Sequence, residues 1–356
     1  MADSEAFLGW PTIVGRLLER GDLDDATAHA AVSQILQGAA TSAQMAAFLI
    51  ALRAKGETSL ELQAMLRAVR EASVAVSLSD DIAHRAMDIV GTGGDKSNSV
   101  NVSTMSALVV AASGVPVCKH GNRASSSACG SADVLESVGV AIGLDATGVQ
   151  ACVEEVGFGF CLASQFHPAF RHVGPTRREL GVPTAFNLLG PMANPAPISA
   201  MLVGVAQPEL MENMAHVLLS RNVTRAWIVH GHGGLDELSL SGPNTVCDVS
   251  NGNISMITVD AGDFGIARAD ISEIVGGDAA MNAATLRAVF AGQTGPVRDV
   301  VVFNAGCALL LSGAVSKIEE GIAMVRATLD SGAAQQLLDA VIAVSTREAQ
   351  RMEASS

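Results

Sequence analysis

Between residues 11 and 73 the apolar positions recur at helical spacing, and nothing in the segment alternates as a strand would. Pro11 suits a first helical turn, and Ile13, Val14, Leu17 and Leu18 follow it up to a stop at Gly21. Asp24 or Asp25 caps a second helix through Ile35. Thr41-Ser-Ala-Gln44 has the form of a capping box ahead of a third helix over 45–52. Gly56 ends that helix, and Thr58 or Ser59 starts a fourth carrying Leu60, Leu62, Met65, Leu66 and Val69. Four helices with short joints predict a small helical unit.

The pattern changes near residue 81. Residues 86–90 form a short apolar strand candidate that runs into Gly91-Thr-Gly-Gly-Asp95, followed by a helix over 102–113, a strand at 115–118 and a loop at 119–127. Helical text returns near 132–138 and 146–156. Later strand candidates lie at 200–205, 226–230, 245–249 and 254–259, with helices near 209–220 and 283–290 between them; residues 304–348 read as helix. Strands alternating with helices predict an α/β domain with a mainly parallel central sheet. The expected organisation is a helical N-terminal domain over 1–80 and an α/β domain over 81–356.

Composition narrows the functional classes. With 49% hydrophobic and 16% charged residues the chain has material for a large core, which excludes a disordered chain. Tyr is absent and aromatics are 3%, so stacking bases on exposed rings is not the mode of action. A formal charge of −14 leaves no basic footprint for a duplex, and no nucleic-acid partner is expected. The six cysteines form no C-x-x-C pair and read as core thiols in a reducing compartment. The acidic start is unlike a signal peptide, and the apolar runs at 106–117 and 304–315 are too short and glycine-broken to span a bilayer. These features predict a cytoplasmic protein without a membrane partner.

Chemistry concentrates in a few stretches. Gly91-Thr-Gly-Gly-Asp95 lies where a strand gives way to a helix, so its main-chain N–H groups can form a nest for phosphate oxygens; a tight turn without a ligand is the plain alternative. It is neither a dinucleotide fingerprint nor a Walker loop. Asn101, Ser103 and Thr104 at the next helix start can donate to phosphate, and a hydroxyl can ligate Mg²⁺, or they simply cap the helix. Lys119-His-Gly-Asn-Arg-Ala-Ser-Ser-Ser127 is the densest polar stretch and favours a polyanion, while Asp133 and Glu136 read as a cap and a surface charge. Of Arg177 and Arg178, about 100° apart on a helix, one at most faces a given pocket, where its guanidinium can hold a carboxylate. Asp236 and Glu237 can share one divalent cation or touch two; beside phosphate the metal is Mg²⁺. His230 and His232 keep a zinc hydrolase open as a rival, without a third ligand at useful spacing.

Taken in order, Gly91-Thr-Gly-Gly-Asp95, Asn101-Val-Ser-Thr104, Lys119-His-Gly-Asn-Arg123 with Ser125, Ser126 and Ser127, Gly130-Ser-Ala-Asp133, Arg177 and Asp236-Glu237 resemble the anthranilate phosphoribosyltransferases, of the nucleoside-phosphorylase-like group. The likeness spans nearly the whole chain. It implies a homodimer in which a helical domain, to which a segment of about 168–195 returns, is hinged to a larger α/β domain, with substrates meeting in the cleft. It implies transfer of the 5-phosphoribosyl group from phosphoribosyl diphosphate to the amine of anthranilate, in tryptophan biosynthesis. Gly91, Gly94, Asp95, Ser99, Asn101, Val102, Ser103, Thr104, Lys119, His120, Gly121, Asn122, Arg123, Ala124, Ser125, Ser126, Ser127 and Ser131 would then bind phosphoribosyl diphosphate. Gly91, Asn122, Arg177, His120, His167 and Pro191 would serve anthranilate, and Ser103, Asp236 and Glu237 would hold two Mg²⁺ per subunit. Lys119, Asp236 and Glu237 are the implied catalytic groups. The chain departs from the family pattern at Phe158-Gly-Phe-Cys-Leu162, where Phe-x-Phe-Ala-Pro is usual, and at Phe170, where Met or Tyr is frequent. A pyrimidine nucleoside phosphorylase lacks the Asp-Glu pair, and a nucleic-acid-binding relative would be basic.

Overall fold

The computed structural model describes residues 7–124, 128–221 and 223–355. The described residues up to Ala75 form one compact unit together with Phe166–Pro195, and the remainder forms a second.

The first unit is all helix, built on the caps that the sequence displays. Helix Trp10–Leu18 opens on Pro11 and buries Trp10, Ile13 and Leu17, leaving Leu18 exposed. Asp24 caps Asp25–Leu36 by accepting from Thr27 N at 2.8 Å. Ser42–Lys55 and Ser59–Glu71 both start in capping boxes, Thr41 with Gln44 and Thr58 with Glu61. Glu61 is fully buried, yet it accepts from Leu23 N, Thr58 N and Lys55 Nζ, so the charge is neutralised where it lies. The returning segment is tied in at Val74 N, which donates to the Phe166 carbonyl at 2.9 Å. Its helices Gly174–Leu180 and Ala185–Met192 pack on Ser42–Lys55 and Ser59–Glu71.

The second unit holds a seven-stranded sheet: β1 (Met87–Gly91), β2 (Val117–Gly121), β3 (Phe158–Leu162), β4 (Ala200–Gly204), β5 (Arg225–His230), β6 (Asn244–Ser250) and β7 (Asn253–Val259). Its order is β3-β2-β1-β4-β5-β6-β7, parallel from β3 to β5 and antiparallel from there to the β7 edge. The five parallel strands are almost wholly buried, as a sheet covered on both faces requires. One face packs Met87, Ile89, Val117, Leu202, Trp227 and Val229 into a core shared with helices Val102–Ala112 and Pro296–Leu311. All six cysteines are buried free thiols. Among the described residues no helix is long and apolar enough to cross a membrane.

Two expectations change. β3 has no counterpart in the sequence reading, because a five-residue apolar run containing glycine is ambiguous by periodicity. Gly159 is required there: a Cβ would stand 2.5 Å from Val153 Cγ2 of helix Ala146–Val156. Lys119 and His120, expected in a loop, instead continue β2, since β3 supplies a parallel partner through Lys119↔Phe160 and His120↔Cys161. Ladder pairing outweighs side-chain polarity.

Candidate active site

The chain runs from β1 to β2 on one side and from neighbouring β4 to β5 on the other, so the crevice at the carboxyl ends of β1 and β4 is the topological switch point. Both strands end in glycine, in register at Gly91↔Gly204. The reason is the segment that lies across them. A Cβ on Gly91 would sit 2.5 Å from Asp236 Oδ2, and one on Gly204 would overlap the Asp236 carbonyl oxygen. Two bare strand ends thus let Asp236 and Glu237 settle against the sheet.

The loop after β1 turns through Gly93 (φ 73°) and Gly94 (φ 85°), a left-handed path that favours glycine. Thr92 N donates to the Gly204 carbonyl at 2.9 Å, and Gly93 N donates to Asp236 Oδ2 at 2.6 Å. Asp95 lies close as well, its Oδ2 accepting from Asp236 N at 3.5 Å. Ser99 forms an isolated bridge with Val275, which delivers the chain to helix Val102–Ala112. There Ser103 N donates to Glu237 Oε1 at 3.2 Å, so the helix end faces a carboxylate. Thr104 Oγ1 is buried without a hydrogen-bond partner among the described residues.

Asn101 does not cap this helix with its side chain. Its Nδ2 donates to the Cys129 carbonyl at 3.2 Å and its Oδ1 accepts from Asn282 Nδ2 at 2.9 Å, so the amide braces the loop that leads to Ser131.

Asp236 and Glu237 are adjacent, both more than nine-tenths buried, and like-charged. Burial first, then the neighbouring charges of Glu237 and Asp95, pushes the Asp236 carboxyl well above the usual carboxylate range. Glu237 is pushed up to about 7 by burial, with the Lys119 cation and the Ser103 bonds pulling the other way. Lys119 is fully buried; burial lowers its pKa, while Asp88 and Glu237 raise it. Its Nζ donates to the Ile89 carbonyl. The lysine therefore lies inside the sheet, near enough to Glu237 for their charges to act on each other.

The described residues after β2, Asn122 to Ala124, contact helix Ser131–Ser137. Asp133 caps it, accepting from Ala124 N and Gly130 N at 2.9 Å each. Ser131 Oγ donates to the Asn122 carbonyl. Arg123 is exposed and forks onto Glu136 at 2.7 and 2.9 Å, with Asp133 at 3.1 Å. Asn122 and Ala124 are exposed, Gly121 is half-buried and His120 is buried, its N donating to Asp88 Oδ1 at 3.3 Å. Ser125, Ser126 and Ser127 lie outside the described residues.

In the helical unit the remaining expected residues form a row. His167 is buried and stacks on Phe170 (centroids 5.1 Å), Phe170 meets Phe186 edge-on (5.6 Å), and the Arg177 guanidinium lies 5.8 Å from the Phe186 centroid. Burial pushes His167 down to about 4. Arg177 is half-buried and donates to Asn187 Oδ1 at 3.1 Å, whereas Arg178 is exposed; Pro191 is buried in helix Ala185–Met192.

Several supporting residues escaped the sequence reading. Asp88 interrupts an apolar strand, a signal that was visible. Asn187 follows Thr184 by three residues in a capping box, a local signal, whereas Asn244, Asn282 and Asn304 serve a loop shape or partners distant in sequence. His230 and His232 turn to separate partners, the Val205 carbonyl and Ser241 Oγ. Among the described residues no three His, Cys, Asp or Glu side chains converge as a complete metal site. The oxygen-only set of Asp236, Glu237 and Ser103 fits Mg²⁺, which keeps waters and shares its shell with substrate phosphates.

Comparison with known proteins bears on what this arrangement serves. The glycosyl transferase family helical bundle domain matches residues 11–73, and the a/b domain of that family matches residues 83–335. The chain is 45% identical over 340 residues to the anthranilate phosphoribosyltransferase of Salinispora arenicola (94% of this chain, 96% of that one). It is 48% identical over 336 residues to that of Mycobacterium sp. strain KMS (92% and 94%). Among solved structures, the Thermus thermophilus anthranilate phosphoribosyltransferase superposes with a TM-score of 0.88 at 40% identity (94% and 99% covered). The Saccharomyces cerevisiae enzyme in complex with PRPP and Mg gives 0.88 at 28% identity (95% and 98%). The chain belongs to the glycosyl transferase family of paired helical-bundle and a/b domains, and within it to the anthranilate phosphoribosyltransferases.

Proposed function

We infer that the chain transfers the 5-phosphoribosyl group of phosphoribosyl diphosphate to the amine of anthranilate, giving N-(5-phosphoribosyl)anthranilate and diphosphate, a step of tryptophan biosynthesis. The observation that carries this reading is the buried Asp236–Glu237 pair, seated on Gly91 and Gly204 beside a glycine loop at the switch point. Two adjacent buried carboxylates call for a cation, and a glycine loop at the start of a helix suits phosphate oxygens. The relatives narrow the acceptor to anthranilate.

In this proposal Gly91, Gly94, Asp95, Ser99, Asn101, Val102, Ser103 and Thr104, and the stretch from Lys119 to Ser127 with Ser131, hold the donor. The unsatisfied Thr104 hydroxyl supports a polar ligand there. The Lys119 charge offsets part of the effect of burial on Glu237 and so favours its carboxylate form. Ser103, Asp236 and Glu237 would hold Mg²⁺, two ions per subunit. Bound Mg²⁺ supplies neutralisation of the charge that grows on the departing diphosphate.

The arylamine is nucleophilic as it stands, so the protein's task is placement and not proton abstraction. Gly91 and Asn122 would border the inner anthranilate position, with His120, His167 and Pro191 lining its approach. His167, with a pKa of about 4, stays neutral there. Arg177 would take the carboxylate through its planar fork. We also assign a homodimer, a reading supported by the exposed apolar residues Leu8, Leu18, Ile50 and Leu60 of the helical unit.

Anthranilate fluorescence tests the reaction. Its loss is expected on mixing enzyme, phosphoribosyl diphosphate and Mg²⁺, and no loss with any one omitted. Unchanged fluorescence in the complete mixture overturns the assignment.

A further inference from the structure

Asn304 stands at the middle of helix Pro296–Leu311, in the run Val300-Val-Val-Phe-Asn-Ala-Gly-Cys-Ala308, where every residue is buried. An amide in such a place is costly unless its polar atoms are matched. Here they are matched by one residue above all. Asn304 Oδ1 accepts from Leu238 N at 3.0 Å, and Asn304 Nδ2 donates to the Leu238 carbonyl at 2.8 Å; the second Nδ2 hydrogen goes to the Val300 carbonyl at 2.9 Å. The side chain thus pairs with both main-chain groups of Leu238, as a strand partner would, and fixes that residue in translation and rotation.

Leu238 is the residue after Glu237. On the site side, the acidic pair is met by Gly93 N on Asp236 and Ser103 N on Glu237. Both of those contacts end on the carboxylate groups themselves, and the main chain on that side has the long 3.5 Å contact of Asp236 N with Asp95 Oδ2. They do not stop the main chain from shifting when two like charges, buried side by side, repel each other. Beyond Leu238 a second buried amide, Asn244, holds Ser239 N at 2.7 Å, so the segment leaves the site already immobilised. Asn304 is the group that fixes it directly behind the carboxylates.

We propose that Asn304 is a positioning residue for the metal-binding carboxylates: it holds the Leu238 peptide so that Asp236 and Glu237 stay side by side before any cation arrives. The inference rests on the reading of that pair as the Mg²⁺ site. A site preorganised in this way binds its ion without first gathering its ligands, and loss of the clamp appears as weaker metal binding before it appears as a changed reaction.

The test uses the full-length enzyme with phosphoribosyl diphosphate present and Mn²⁺ as the probe, its binding read from the free-ion electron paramagnetic resonance signal. Asn304→Leu leaves both Leu238 groups unmatched, and Asn304→Ser keeps a small hydroxyl. Each is expected to weaken Mn²⁺ binding about tenfold or more and to raise the Mg²⁺ concentration for half-maximal activity in parallel. Much of the turnover should return at saturating Mg²⁺, with the anthranilate KM unchanged. Asn304→Ser carries the test if Asn304→Leu does not fold. Wild-type Mn²⁺ affinity in a folded Asn304 variant, with only a lowered unfolding temperature, overturns the clamp. Glu237→Gln separates the two ideas. If it retains wild-type Mn²⁺ affinity, the metal reading itself falls; if it loses binding while Asn304 variants keep it, only the clamp falls.

Discussion

Asp236 and Glu237 are held largely by main-chain groups: Gly93 N, Ser103 N, and the bare ends of β1 and β4. Arg177 is held by side chains: the face of Phe186 and the amide of Asn187, with Phe170 and His167 continuing the row. Main-chain support at such close approach admits few residue types, because a Cβ in the wrong place collides. Side-chain support fixes a shape that several residue sets can fill. On the proposed roles, the donor would be read through geometry that is hard to vary, and the acceptor through packing that is easier to retune.

The sharpest break in that comparison comes from the carboxylates. Asp236→Asn and Glu237→Gln should each lower turnover by about 10²–10³, the scale seen when one group stabilising a developing charge is lost. Added Mg²⁺ should restore only part of it in the anthranilate fluorescence assay. Full activity at ordinary Mg²⁺ would remove the pair from the reaction.

His167 supplies a test on the aromatic side that needs no substrate. Its pKa falls from 6.5 to about 4 because burial disfavours the charged ring. The unfolded chain therefore binds more protons between those values, so stability is present above pH 6.5 and is lost as pH falls through 4. The whole effect is at most about 3 kcal/mol. His167→Phe keeps a ring against Phe170 and removes the titration. Denaturant unfolding between pH 4 and 6.5 should show a shallower pH slope in the variant; parallel curves would mean that the ring is not buried as described.

Glycine substitutions set the two regions directly against each other. Gly204→Ala drives a Cβ into the Asp236 carbonyl and should cost about 1–3 kcal/mol of stability together with activity. Gly190→Ala, inside helix Ala185–Met192 with nothing within 4 Å of the added carbon, should leave stability unchanged or raise it by up to about 1 kcal/mol. Thermal unfolding of the two variants measures both. Equal effects would show that the close approach at Gly204 is not a constraint.

The same contrast explains what could be read from the residues alone. The helical caps at Asp24, Thr41 and Thr58 are local chemistry and stand where their spacing places them. Gly91-Thr-Gly-Gly-Asp95 was visible because a turn and a close approach both demand glycine. Lys119 was misplaced into a loop because its strand exists only through pairing with β3, and β3 was invisible because Gly159 answers to a helix rather than to its neighbours in sequence. The asparagines at 244, 282 and 304 look like ordinary polar interruptions until the fold brings Ser239, Asn101 and Leu238 to them.

The last test concerns Arg177, the proposed carboxylate partner. Adjacent arginines on a helix diverge, and here only Arg177 turns inward, half-buried over Phe186, while Arg178 stays exposed. Burial lowers its pKa, but guanidinium remains a cation at any working pH. Asn187 Oδ1 accepts from Arg177 Nη2 and also from Thr184 N; in the proposed role the remaining guanidinium N–H groups would meet a planar carboxylate. Arg177→Ala should therefore raise the anthranilate KM about tenfold, with a smaller change in kcat and none in the KM for phosphoribosyl diphosphate. Arg177→Lys keeps the charge without the fork and should fall between. If lysine works as well as arginine, charge alone is being recognised; if alanine leaves the anthranilate KM untouched, the carboxylate is held elsewhere and the aromatic row is packing only.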